Sequence, residues 1–112
     1  MWTPATIDQV MVHVRRDLDL CDSQQLSAFR QYGVEPYPAP IIRYGSRESV
    51  IVVARNDNQV IYWEDVEEGF NVSPVDETGT IFEHSCNQDP LGNALNHWIA
   101  GRGRPRVGPA RG

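Results

Sequence analysis

Lysine is absent from this chain of 112 residues, and all ten of its basic residues are arginine. Long apolar runs are absent as well. None approaches the roughly 20 residues that cross a bilayer, so no membrane association is expected. The first residues carry neither the basic start nor the apolar middle of a secretory signal, which makes the cytoplasm the expected compartment. Only two cysteines are present, Cys21 and Cys86. Two are too few for a disulfide scaffold, and in a reducing compartment both should be free, small and partly buried. No glycine-rich loop follows a candidate strand, which leaves nucleotide binding without support, and no cofactor is expected.

What is present is acid. The whole chain carries a net −5. Four arginines, Arg102, Arg104, Arg106 and Arg111, fall in the last eleven residues, leaving six against fifteen carboxylates in residues 1–101, a net −9. An acidic body disfavours direct contact with nucleic acid and favours a cationic protein partner. The length suits one domain with a modest core, over residues 1–101. Residues 102–112, rich in arginine, glycine and proline, have too little apolar surface to fold and are expected to form a disordered tail.

Thr3-Pro4 reads as a helix start, with Ile7, Val10, Met11, Val14 and Leu18 recurring on one face. Asp22 or Ser23 can cap a second helix that runs through Leu26 and Phe29 to Tyr32, with Gly33 placed to end it in a left-handed conformation. Pro36, Pro38 and Pro40 mark an extended linker, because alternate prolines exclude helix and sheet interior. Strand signals follow at 41–44, 49–54 and 59–63, with Gly45 to Glu48 and Asn56-Asp57-Asn58 as turns. Phe70 to Val75 and Thr80 to Glu83 read as further strands joined at 76–79. Asp89 caps a last helix, with Pro90 at its first position and Leu91, Leu95, Trp98 and Ile99 on one face. The expected fold is α+β: two N-terminal helices, a four-stranded and mainly antiparallel sheet, and a C-terminal helix.

One segment concentrates unusual chemistry. Tyr62-Trp63-Glu64-Asp65-Val66-Glu67-Glu68-Gly69-Phe70 places four carboxylates within five positions, framed by three aromatic residues. Clustered carboxylates repel one another and add little to a fold, whereas aromatics beside them offer a partner something to bury. The candidate partner-binding residues are therefore Tyr62, Trp63, Glu64, Asp65, Glu67, Glu68 and Phe70. If 59–64 is extended, Tyr62 and Trp63 point to opposite faces, so one of them lies beside the carboxylates whichever face is exposed. A second reading makes Glu64, Asp65, Glu67 and Glu68 ligands of a hard cation, but the spacing of a calcium loop is missing. The best cluster for catalysis or zinc is His84, Cys86, Asp89 and His97. It would need His97 to reach the Cys86 thiol, and its spacing matches no familiar zinc pattern, so neither an enzyme nor a metal site is expected. His13, inside the first helix, is expected at the surface or its boundary.

The run Ser49 to Arg55, the hairpin into residues 62–70, and Cys86-Asn87-Gln88 before a short helix together resemble the small immunity proteins of bacterial polymorphic or contact-dependent growth-inhibition toxin systems. The resemblance spans roughly residues 20–100 and rests on size, order of elements and acidity; the arginine-rich tail lies outside it. It implies a cytoplasmic inhibitor that binds a cognate basic toxin domain, often a nuclease, with Glu64, Asp65, Glu67 and Glu68 as phosphate mimics. The alternatives are an acidic regulatory module without a toxin partner, or a small Cys/His enzyme or zinc protein.

Overall fold

The structure, a computed structural model, describes residues 5–82 and 89–101. Helix α1 spans Ile7–Leu18 and starts at Thr6, not Thr3. The Thr6 hydroxyl accepts from the Gln9 amide at 3.1 Å while the Gln9 side chain accepts from the Thr6 amide at 2.9 Å. This reciprocal cap satisfies two amides that the helix itself cannot. Asp22 and Gln25 repeat the device for α2, Ser23–Tyr32, at 2.8 and 2.9 Å. Gly33 does follow that helix, but in an extended conformation and as the first residue of a strand. Its smallness serves a close approach instead: a Cβ there would stand 2.5 Å from the Phe29 carbonyl oxygen.

Four strands follow in an antiparallel meander, with order β1-β2-β3-β4: β1 Gly33–Arg43, β2 Ser46–Asn56, β3 Gln59–Glu64 and β4 Gly69–Pro74. The expected proline linker is part of β1. Residues 38, 39 and 40 pair with Ile51, Val50 and Ser49. Pro38 and Pro40 share one parity within the regular register, so the donors they lack belong to the side of β1 facing away from β2, whereas Pro36 falls in the register shift between Gly33 and Tyr37. There the Pro40 carbonyl still accepts from the Ile81 amide at 2.8 Å. Alternate prolines are excluded from a sheet interior but suit an edge, and they leave that edge with few donors to offer another strand.

The sheet nearly closes on itself. Ile81 bridges Ile41 on β1 in parallel and Val75, just beyond β4, in antiparallel fashion. The expected strand at 80–83 is therefore a short connector between the two edges; residue 83 lies outside the described residues. Between them, Asp76 organises a tight turn, its carboxylate accepting from the Thr78 amide, the Thr78 hydroxyl and the Thr80 amide.

Both faces of the sheet are consequently covered. On one side, α1, α2 and α3 (Leu91–Asn96) pack Val10, Val14, Ala28, Leu91 and Leu95 against Ala54, Ile61 and Trp63. Inside the curl on the other side, Ala39, Ile41, Val50, Val52, Val60, Tyr62, Val75 and Ile81 form a second core. Burial of apolar area at about 25 cal/mol per Å² makes these two clusters the main stabilising term. Helix α3 is shorter than expected and begins after Pro90, with no cap from its own neighbours and none from Asp89. Its first amide, of Leu91, donates instead to Asp17 Oδ2 on α1 at 2.9 Å. The α+β order read from the sequence is the observed one: two N-terminal helices, a four-stranded antiparallel sheet and a C-terminal helix.

Candidate functional site

The acidic segment forms the end of β3, the four-residue turn 65–68 and the start of β4. The turn closes with the Glu68 amide donating to the Glu64 carbonyl at 2.7 Å, and Glu68 adopts a positive φ of 58°. The aromatic frame is not at the surface, which corrects the expectation that Tyr62, Trp63 or Phe70 supplies accessible contact area. Tyr62 lies in the inner core, while Trp63 and Phe70 lie in the helix-side core. Trp63 stacks on His13 at 4.3 Å and meets Phe70 edge-on at 5.0 Å, so His13, half-buried in the middle of α1, is a packing residue at the boundary of the core. Strand alternation was read correctly; the error was to assume that one face of β3 is open. As a central strand between helices and curl, β3 has no open face.

Glu64 is also internal, with only 1% of its surface exposed. Its carboxylate is held by the Arg43 guanidinium, whose Nη1 donates to both Glu64 oxygens while its Nε donates to Glu48 Oε1 at 3.0 Å. Burial pushes the Arg43 guanidinium down, but its hydrogen bond to Glu64 and the charges of Glu64 and Glu48 outweigh that and raise it above its ordinary range. Glu64 thus neutralises a buried cation and is not available to a partner. Asp65 is half-buried and accepts from the Ala5 amide at 3.2 Å, tying the turn to the approach to α1. Glu67 is half-buried and Glu68 exposed, and the apolar Val66 between them and Asp65 is 62% exposed. The outward part of the predicted surface is therefore 65–68.

The other candidates separate. Among the described residues, no group of three or more His, Cys, Asp or Glu side chains converges in a way that could hold a metal ion. Carboxylates 64, 65, 67 and 68 do not form such a group. His84 and Cys86 lie outside the described residues, as does the tail 102–112. His97 is the exposed C-cap of α3, and the Asp89 carbonyl accepts the Phe70 amide at 2.9 Å, so Asp89 seals one end of the β4 edge. The Cys21 thiol donates to the Asp17 carbonyl oxygen at 3.3 Å. Burial, then the charges of Asp17 and Asp22, push this thiol up, away from the reactive thiolate.

Sequence reasoning placed the turn of the β1–β2 hairpin at Gly45 to Glu48, whereas residues 46–48 belong to β2, and it gave the hairpin's tip no role. Its turn is Tyr44-Gly45, both at positive φ (50° and 76°), where Asn-Gly is the preferred pair. Tyr44 is 86% exposed. Because β2 and β3 are antiparallel, with Ile51 opposite Trp63, this tip and the 65–68 turn lie at the same end of the sheet. The only advance signal was Tyr44 standing before a glycine between two strand patterns.

No protein-family model matches the chain, and neither a curated protein nor a solved structure matches it. Among the described residues no helix is long and apolar enough to cross a membrane.

Proposed function

We propose that this protein is a cytoplasmic binding module that neutralises a basic toxin domain, of the kind made by bacterial growth-inhibition systems, by occupying the cationic surface with which that domain holds its substrate. It acts by association and not by catalysis. The observation that carries the reading is the placement of the 65–68 turn. Asp65, Glu67 and Glu68 project from one end of a strongly acidic body, on a turn anchored by the Ala5–Asp65 and Arg43–Glu64 contacts. A rigid acidic turn on an acidic body steers a cationic partner, raising association rates by ~10–10³-fold at low salt. A nuclease surface is such a partner, because it is built to hold phosphates.

The test is co-expression with the protein encoded immediately beside this one, followed by binding kinetics at low and high salt. A 1:1 complex is expected, with an association rate that falls steeply with salt. Replacing Glu67 and Glu68 by lysine should lower that rate by roughly tenfold or more. Rescue of cells from the neighbour's toxicity distinguishes an inhibitor from a regulatory module that merely docks a basic protein. A wild-type chain that neither binds nor protects would sink the proposal.

A further inference from the structure

Three side chains near the hairpin tip share its outer side, and an exposed tyrosine stands at the turn itself. Ile41 and Ile81 point into the inner core, so their neighbours Ile42 and Phe82 turn outward, side by side, because the Ile42 amide donates to the Ile81 carbonyl at 2.9 Å. Arg47 is opposite Ile42 in the register, and Tyr44 follows at the turn. Phe82 is 51% and Tyr44 86% exposed. A bulky side chain at positive φ is uncommon, and such strained positions cluster where function retains them. The tip is also not left to swing. Arg43, the residue before Tyr44, is bonded inside the protein to Glu64, the residue before Asp65. One buried ion pair therefore ties the residue before the exposed tip to the residue before the acidic turn.

We infer that the tip of the β1–β2 hairpin, anchored by Tyr44 with Ile42, Arg47 and Phe82 behind it, is the apolar half of an interface whose acidic half is the 65–68 turn. Its occupant is a cationic protein segment that offers an apolar contact flanked by lysine or arginine. The inference rests on the proposed binding function and adds where the affinity resides. Charge complementarity selects the occupant, since an apolar anchor beside carboxylates on an acidic body repels a second acidic copy and fits a basic rim. Aromatic and arginine side chains near the centre of a contact carry most of its binding energy, whereas rim carboxylates set the rate of approach. The proline-blocked edge of β1 argues for docking through side chains and not through an added strand.

The decisive variant is Tyr44→Asn, which supplies the residue the turn prefers and removes the anchor. Its melting temperature should equal or exceed that of the parent, while affinity for the neighbouring-gene protein falls at least about tenfold, mainly through faster dissociation. Ile42→Thr should act in the same direction, and Val12→Ser, exposed on α1, should change nothing. An unchanged affinity in Tyr44→Asn and Ile42→Thr overturns the inference and leaves the proposed function standing. If the parent does not bind its neighbour at all, the proposed function fails and a displayed library of random peptides decides the inference. Enrichment of peptides with an aromatic or leucine beside lysine or arginine, lost on Tyr44→Asn, supports it. No enrichment, or enrichment that survives Tyr44→Asn, overturns it. A concentration-dependent dimer abolished by Tyr44→Asn would assign the tip to a second copy and also overturn the cationic partner.

Discussion

Arg43 on β1 and Glu64 on β3 form a buried ion pair across two strands that are not neighbours in the sheet, with Glu48 of the intervening β2 as the second partner of the arginine. Such a pair adds little net stability over a well-packed apolar substitute. Removing one member, however, strands the other as an uncompensated buried charge. Arg43→Met should therefore destabilise the fold by about 3–5 kcal/mol. Arg43→Met combined with Glu64→Leu should recover much of the loss. Urea unfolding of the single and double variants measures both, and a single variant as stable as the parent would show that the pair contributes nothing.

The Asp17–Leu91 contact joins α1 to the start of α3, so one carboxylate serves as a cap supplied from a distant helix. Asp17→Ala should cost about 1–2 kcal/mol, the usual loss when a helix cap is removed. Asp17→Asn keeps an acceptor and should lose less. Amide hydrogen exchange localises the effect: protection of Leu91–Asn96 should fall first, ahead of the sheet.

The prolines of β1 make a different kind of prediction, about association. Replacing Pro38 by threonine restores a donor on the outward edge without altering the side that pairs with β2. The variant should self-associate as its concentration rises, by pairing that the native edge discourages. Sedimentation of parent and variant across a concentration series reads this directly, and a variant that stays monomeric would show that the edge is protected by other means.

Asp76 sets a pH dependence with a definite sign. Hydrogen bonds from Thr78 and Thr80 hold its carboxyl below the ordinary value of 3.8. Its ionised form therefore favours the fold. That contribution is complete above 3.8, and it is lost as pH falls through the lower folded value. Melting temperature followed from neutral into strongly acidic buffer should fall less steeply for Asp76→Asn than for the parent. Parallel acid limbs would remove Asp76 from the account.

Elements whose cause lies within a few residues were readable in advance. Asp22 with Gln25 marks the start of α2, and the Ile7–Leu18 stripe marks α1, because caps and helical spacing act locally. The turn at Asp57-Asn58 and the partner strand that follows it were legible for the same reason. The start of α1 was misplaced, since Thr3-Pro4 and Thr6-x-x-Gln9 compete within one turn and only the second completes a reciprocal pair. The proline segment was misread because proline forbids a donor, not a strand. Whether the missing donors matter depends on which side of β1 another strand occupies.

The chain by itself determined the acidity of the body, the order of helices and strands, and the position of the turn at 65–68. Tertiary structure decided what that turn presents. Tyr62, Trp63 and Phe70 became core because helices cover one face of β3 and the closing curl covers the other. Glu64 became the partner of Arg43, and Tyr44 became the exposed aromatic. Alternation along a strand tells which residues share a face, but only packing against distant segments tells whether that face meets water, and here both faces of β3 are turned inward.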